Sequence, residues 1–580
     1  MEYSGYDKTP IEHINANGLK GAYNQIDTIK KVILETCKAC QSNRIVLTID
    51  CYPGVNENEV FSTLFSDMVF EKIIRSDECA KNIADIDQMI SRNLTDDRVF
   101  GVLSHHNLIE FFDTDKINEA QKSIEQISNG LVLILGVGAS LIYRPDVIIY
   151  CDLARWEIQQ RYRNGMANWL CENYKEDTLK KYKRGYFIEW RVADRHKISI
   201  FNKIEYFLDT TTRDYKLMKG EIVREGLKQV AKKPFRVVPF FDPGVWGGQW
   251  MKEVCDLPKE TPNYAWCFDC VPEENSLLLE SDGVVIEIPA IDLVLTQPVP
   301  LLGDKVHARF GTEFPIRFDF LDTMRGQNLS LQVHPLTEYI QNTFGMHYTQ
   351  DESYYMLDAG SDACVYLGVK TGTKPEELIG ALTAAKETAK FDDAKYVNKF
   401  PAKKHDHFLI PAGTIHCSGA NSMVLEISAT PFIFTFKLWD WNRLGLDGKP
   451  RPVHIEHGKY NIQYNRDTEW VRKNLINRVE VLDKHEGYKE ERTGLHEREF
   501  IETRRYWFSE SFELNTNDGV QVFNLVEGDE IVISCADESF KPYTVHYAET
   551  FIVPAAVGRF IISPKMKGKT YGVIRAYVRT

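Results

Sequence analysis

The chain has 580 residues, 43% hydrophobic and 26% charged, which is the balance of a globular protein with roughly three or four domains. A net charge of −13 excludes a general nucleic-acid-binding surface, because such a surface needs a basic face to displace counterions. It leaves room for a few local Lys or Arg to hold one phosphate.

The first residues, "MEYSGYDKTPIEHINANG", lack the apolar core of a signal peptide, and no apolar run approaches the roughly 18 residues of a membrane helix. A cytoplasmic protein with neither nucleic-acid nor membrane partners is therefore expected. The sequence sets no oligomeric state. Of the 12 cysteines, two CxxC pairs stand out, Cys37/Cys40 and Cys267/Cys270. They lie far apart in helical or strand pattern, unlike the close pairs of a zinc ribbon, so reduced structural thiols are expected.

Residues 1–20 read as an N-terminal extension. From 21 to 232, apolar strand-like runs at 44–50, 98–104, 131–138, 146–152 and 203–209 alternate with amphipathic stretches such as "NEAQKSIEQISN" and "ARWEIQQRYRNGMANWLCENY". Continuous apolar strands between helices predict an α/β domain with a parallel sheet covered on both faces. "RIVLTIDCYPGVNENEVFSTL" has the strand–turn–helix order of a phosphate-binding loop. It offers only Gly54, however, and "NENE" where Lys-Ser is needed. The pair Gly136/Gly138 is an isolated GxG. His105 and His106 are adjacent, so on a strand they would point to opposite faces and not share an ion.

After "KKPFRVVPFFDPG" the texture becomes β-rich. Short runs such as "DACVYLGVKTG" and "HDHFLIPAGTIH" are separated by Gly, Pro, Asn and Asp turns, the pattern of an antiparallel sandwich or barrel. A helical insertion, "KPEELIGALTAAKETAK", begins with Pro375 and an acidic first turn. The predicted spans are a first β domain at 236–478 and a second at 479–580.

Within the first, "NLSLQVHPLTEY" alternates an apolar face, Leu331 and Val333, with a polar one, Gln332 and His334. Glu352 stands at the start of a strand in "TQDESYYMLDAG". His416 follows a Pro-Ala-Gly turn, where glycine lets the chain bend and aim a side chain inward. Two imidazoles, a carboxylate and an amide oxygen suit a borderline divalent transition metal, zinc first, with a position left for substrate or water.

From about Phe241 the chain resembles the type I phosphomannose isomerases. The resemblance is carried in order by "GVWGGQWMKEV", "FPIRFDFLDTMRGQNLSLQVHP", "DESYYMLDA", "VYLGVKTGTKPEELIGAL", "IPAGTIHCSGANSMVLEIS" and "FTFKLWDWNRLGLDGKPRPVH". It covers about 230 residues, with the second β block following as the family would have it. It implies a double cupin of jelly-roll barrels and a metal set of Gln332, His334, Glu352 and His416. It also implies zinc-dependent conversion of mannose 6-phosphate to fructose 6-phosphate through an enediol. Glu426 is then expected as the base, Lys437 as a catalytic cation, and Arg443 and Arg451 as phosphate ligands.

The chain departs from that family at three basic positions. Lys437 replaces an arginine, and Gln350 and Asp319 replace lysines. The alternative is a non-catalytic metal-containing cupin that binds or senses a sugar or sugar phosphate. "LVLILGVGASLIYRPDVIIYCDLARWEIQQRYRNG" resembles the second half of a nucleoside-kinase-like fold. Asp152 would end a strand, and Arg155, Arg161 and Arg163 would lie on a lid-like helix. The 21–232 span is thus expected to be P-loop-kinase-like with a degenerate loop, acting as a docking or regulatory module.

Overall fold

The computed structural model describes every residue except 1–4, 430, 431, 433, 495, 497 and 580. It divides into two compact units. One is Ile11–Gln229 with Ser276–Thr296; the other is Met1–Pro10, Val230–Asn275 and Gln297–Thr580. This differs from a single boundary near residue 235. The segment Ser276–Thr296, read from sequence as part of the first β domain, packs with the N-terminal unit, where Ser276–Ser281 pairs in parallel with Ile11–His13. Apart from Ser276–Thr296, the spans expected as 236–478 and 479–580 fall within one unit.

The N-terminal unit is built on a seven-stranded sheet. Its order is Ala22–Tyr23, Lys216–Lys219, Tyr206–Asp209, Val147–Asp152, Arg44–Cys51, Gly130–Gly136, Lys72–Arg75. The last five are mutually parallel, and Lys216–Lys219 runs antiparallel to both of its neighbours. The parallel strands are β-branched and Leu-rich, and Val147–Asp152 is buried throughout, as a sheet covered on both faces requires.

One expected strand is absent. Residues 98–104 form no strand, because their backbone is engaged elsewhere. Asp97 Oδ1 accepts from Val99 and Phe100 N–H at 2.6 and 2.7 Å, and Ser104 N–H donates to Phe187 O at 2.8 Å. The edge position goes instead to Lys72–Arg75, whose four residues are too short and polar to stand out. The expected long helix after Asp152 is also shorter. It spans Arg155–Arg163 and stops before Gly165, whose φ of +95° no helix accepts.

The second unit is rich in antiparallel strands. A six-stranded sheet runs His407–Ile410, Asp351–Ala359, Ser422–Ala429, Arg317–Asp322, Trp266–Cys270, Phe240–Asp242. A five-stranded sheet runs Val397–Pro401, Cys364–Val369, His416–Ser418, Leu331–Val333, Phe436–Trp439. The expected helical insertion is Pro375–Thr388. Beyond residue 479, sheets of six and four strands close on an apolar filling that includes Phe523, Phe551, Ile531 and Phe560. That interior is packed with hydrocarbon, so the polar chemistry of this unit lies in the earlier pair of sheets. All 12 cysteines are free thiols, and no helix among the described residues is long and apolar enough to cross a membrane.

Candidate metal centre

The five-stranded sheet supplies three of the four expected ligands. On Leu331–Val333, Gln332 is paired in register with His416 on one side and Lys437 on the other, so His416, Gln332 and Lys437 form one cross-strand row. His334 follows two residues after Gln332. The six-stranded sheet supplies Glu352, in register with Ser428 and Ile410.

The turn before His416 fixes its aim. Gly413 adopts φ +89°, and a Cβ there would lie 2.8 Å from Asn461 O. Its N–H donates to His334 O at 3.0 Å, which ties the turn to the other ligand segment. Arg466 Nη1 clamps the same turn through Pro411 O and Ala412 O at 2.6 and 2.7 Å.

His334 Nδ1 lies 2.8 Å from Phe434 O, and His416 Nδ1 lies 2.9 Å from Thr414 O. A carbonyl can only accept, so both Nδ1 atoms carry protons and both Nε2 atoms face inward as bases. His334 Nε2 stands 3.0 Å from Glu352 Oε2, and His416 Nε2 stands 2.7 Å from Glu352 Oε1. The three donor groups lie within 4.8 Å of one another and are fully buried. His334 Nε2 and Glu352 Oε1 have no hydrogen-bond partner.

Lone pairs at such distances repel unless a cation or an added proton sits among them. Burial alone would raise the Glu352 carboxyl, yet the two imidazoles hold it well below the usual carboxylate range. Burial opposes protonation of His334, and the Glu352 charge overrides it and raises its pKa. The Gln332 amide is 3.1 Å from His416 through its nitrogen; turned over, it would present its oxygen. Residues and geometry together fit a divalent ion of zinc type.

The other expected residues separate into two groups. Glu426 stands in the centre, in register with Tyr354 on one side and Asp319 on the other. Gln350 Nε2 donates to Glu352 at 3.0 Å and to Glu426 at 3.4 Å. Burial, then the charges of Glu352 and Asp319, push the Glu426 carboxyl well up. Asp319 is pushed up to about 6 by burial, against the pull of Arg317 at 3.3 Å.

Arg443 and Arg451 are brought together elsewhere. Both pair with Asp440, Arg451 at 3.0 Å, and Arg443 also donates to Asn328 O at 2.7 Å. Asp440 in turn accepts from Ser330 at 2.9 Å. Sequence reasoning missed Arg317, Ser428 and Asp440. Arg317 and Asp319 were legible as a second polar pair two residues apart, like Gln332 and His334. Asp440 carried no such signal.

In the N-terminal unit, the carboxyl ends of the strands are filled by the protein's own groups. Asp50 accepts from Gly138 and Ser140 N–H at 3.0 Å each, and Glu57 accepts from Val137 N–H at 3.3 Å. The amides of the GxG loop are thus spent on carboxylates. Lys197 Nζ, fully buried, is held by Asp152 at 2.7 Å and Asp292 at 2.9 Å. The expected lid arginines are tied down. Arg155 pairs with Asp194 inside the unit, Arg161 donates to Gly54 O and Thr210 O at 2.9 and 2.6 Å, and Arg163 lies over Trp156. His106 pairs with Glu110 at 2.9 Å.

A family model described as a domain of unknown function (DUF8485) matches residues 25–232. The chain is also similar to a mannose-6-phosphate isomerase of Streptococcus mutans, 28% identical over 214 residues, covering 37% of this chain and 62% of that one. It is also similar to the mannose-6-phosphate isomerase ManA of Bacillus subtilis, 26% identical over 225 residues, covering 39% and 66%. The chain therefore spans less than two thirds of the length of each of these relatives. Among solved structures, it is similar to the mannose 6-phosphate isomerase of Bacillus subtilis at 18% identity and a TM-score of 0.49, covering 60% of this chain and 100% of that one.

Proposed function

We propose that this chain is a metal-dependent aldose–ketose isomerase of hexose phosphates, mannose 6-phosphate first, built on a double cupin. Gln332, His334, Glu352 and His416 would hold a divalent transition metal, zinc first. One observation carries the reading: two imidazoles with both Nδ1 protons spent on carbonyls converge on a buried carboxylate within 4.8 Å. The names of the relatives supply the reaction class and make mannose 6-phosphate the first substrate to assay.

When bound, the metal supplies electrostatic stabilisation to a sugar oxygen that gains charge as the C2 proton leaves. Glu426 is the base that takes this proton and returns it at C1. Burial and two neighbouring carboxylates raise its affinity for the proton. Gln350 orients the pair by donating to both Glu352 and Glu426. Lys437, across from Gln332 on the same face, contributes positive charge toward the enediolate. The near-complete burial of His334, His416 and Glu352 keeps water from competing for these groups.

A second reading is a non-catalytic metal-containing cupin that binds or senses a sugar or sugar phosphate. It is favoured by the commitment of Arg443 and Arg451 to Asp440. A coupled assay of fructose 6-phosphate formation from mannose 6-phosphate separates the two. Turnover that a chelator abolishes and zinc restores supports the isomerase. No turnover across several hexose phosphates, with metal bound, leaves the binder. For the N-terminal unit, we infer a docking or regulatory role, since its loop amides and its buried lysine are already engaged. Measurable ATP binding would overturn that inference.

A further inference from the structure

The strand Asp351–Ala359 has a second polar face. Glu352 faces the candidate metal ligands, so by alternation Asp351 and Ser353 face the other way. There, with Ile427, Glu499 and Thr503, they line a cavity of about 10 Å³. That is the room of one water-sized sphere. Every polar side chain on its lining offers oxygen: the carboxyls of Asp351 and Glu499 and the hydroxyls of Ser353 and Thr503.

Glu499 is only 7% exposed, and its Oε1 has no hydrogen-bond partner. Asp351 Oδ1 accepts from Ala412 N–H at 2.7 Å. Among the described residues, neither carboxyl forms an ion pair.

Three arginines stand near these carboxyls, and each is directed elsewhere. Arg466 Nη1 is bonded to Pro411 O and Ala412 O, Arg498 is exposed, and Arg579 Nη2 donates to His496 O at 3.4 Å. Burial, then the charge of Asp351, push the Glu499 carboxyl well up, and Arg579 and Arg466 offset this only in part. Two buried carboxyls side by side are costly unless a proton or a cation stands between them. A water molecule would donate to both and leave their charge in place.

We propose that this cavity is a site for one monovalent metal cation, sodium or potassium, held by Asp351, Glu499, Ser353 and Thr503. Its size admits a single bare ion, and the nearby arginines disfavour a second positive charge on that ion. Through Asp351 the ion is tied to Ala412, in the turn that aims His416. The site stands independently of the isomerase reading.

Thermal unfolding of the zinc-loaded full chain at constant ionic strength tests it, with sodium, potassium or tetramethylammonium chloride as the salt. Tetramethylammonium carries the same charge but is too large for the cavity. One of the small ions is expected to raise Tm by about 2–5 °C over tetramethylammonium, saturating with concentration, as binding at ten times its Kd would. Glu499→Gln should erase that difference, and in tetramethylammonium it should unfold no earlier than the parent, because it removes one of two buried like charges. A variant that is merely misfolded would unfold earlier in every salt. Equal Tm of the parent in all three salts overturns the proposal and leaves the cavity to a water molecule. A response to calcium or magnesium without one to monovalent ions overturns it too, as does a full response retained in Glu499→Gln.

Discussion

Replacing Glu352 by Gln removes the one charge among the four proposed metal ligands while keeping the shape of the side chain. Its carboxylate oxygens lie 2.7 Å from His416 Nε2 and 3.0 Å from His334 Nε2, in a site with essentially no solvent. Losing the charged partner of a buried pair typically costs about 3–5 kcal/mol, or roughly two to three and a half powers of ten in metal affinity. With zinc buffered at about 1,000 times the parent's Kd, binding stabilises the fold by about 4 kcal/mol; a 200-fold weaker site at the same zinc retains only about 1. The metal-free protein should respond differently. Each Nδ1 is already a donor to a carbonyl, so the new amide can donate to an Nε2 lone pair, and repulsion with Glu426 is relieved. Thermal unfolding of parent and Glu352→Gln, each with zinc and with chelator, measures both terms. The expected result is a zinc-dependent gain cut to a quarter or less, with the chelated proteins nearly alike. An undiminished zinc effect in Glu352→Gln would refute the ligand assignment.

Gly413→Ala is expected to cost about 2–4 kcal/mol in urea unfolding, from a left-handed φ and from the close approach to Asn461 O. It should also lower zinc content, since the turn positions His416. Lys197→Met would leave Asp152 and Asp292 buried without their shared cation, for a loss of about 3–5 kcal/mol in the N-terminal unit's unfolding transition. Asp292 is pushed up to about 7 by burial, with Asp152 adding to the shift and Lys197 opposing it. Its folded pKa exceeds its unfolded one, so the folded unit holds a proton that the unfolded chain has lost. This contribution is full below about pH 4 and lost as pH rises through about 7. Urea titrations at pH 6 and pH 8 should therefore show a fall in stability that is smaller in Asp292→Asn; an equal fall in both proteins would refute it.

Alternation made the candidate metal ligands legible in sequence. Gln332 and His334 sit two apart on an otherwise apolar strand, and the Pro-Ala-Gly turn marks the bend before His416. The same rule, applied to "RFDFLD", would have shown Arg317 and Asp319 facing together. It could not show that Asp319 lies in register with Glu426, because that pairing joins residues more than a hundred positions apart. The fate of Arg443 and Arg451 was hidden for a related reason. A short basic stretch reads as phosphate-binding until the buried Asp440 that occupies it is known. In the N-terminal unit, hydrophobic runs found four of the five parallel strands. They also suggested a false one at 98–104, where side-chain caps on the backbone replaced the ladder.

The two β-sheets around the candidate metal site differ in charge, which bears on how metal and ligand binding are linked. The five-stranded sheet contributes Gln332, His416 and Lys437 in one row, with His334 just beyond, all neutral or basic. The six-stranded sheet contributes Glu352, Glu426 and Asp319, all acidic. Glu352 therefore sets an acidic group against the imidazoles, and it is also the near neighbour of two further carboxylates. A divalent cation at the imidazoles lowers the cost of ionising every carboxylate around it. Ionised Asp319 and Glu426 are better hydrogen-bond acceptors than their protonated forms. Metal binding should thus strengthen the hold of Asp319 and Glu426 on a ligand's hydroxyl groups even where the ligand does not touch the metal. By linkage, a sugar phosphate bound there must tighten the metal by the same factor.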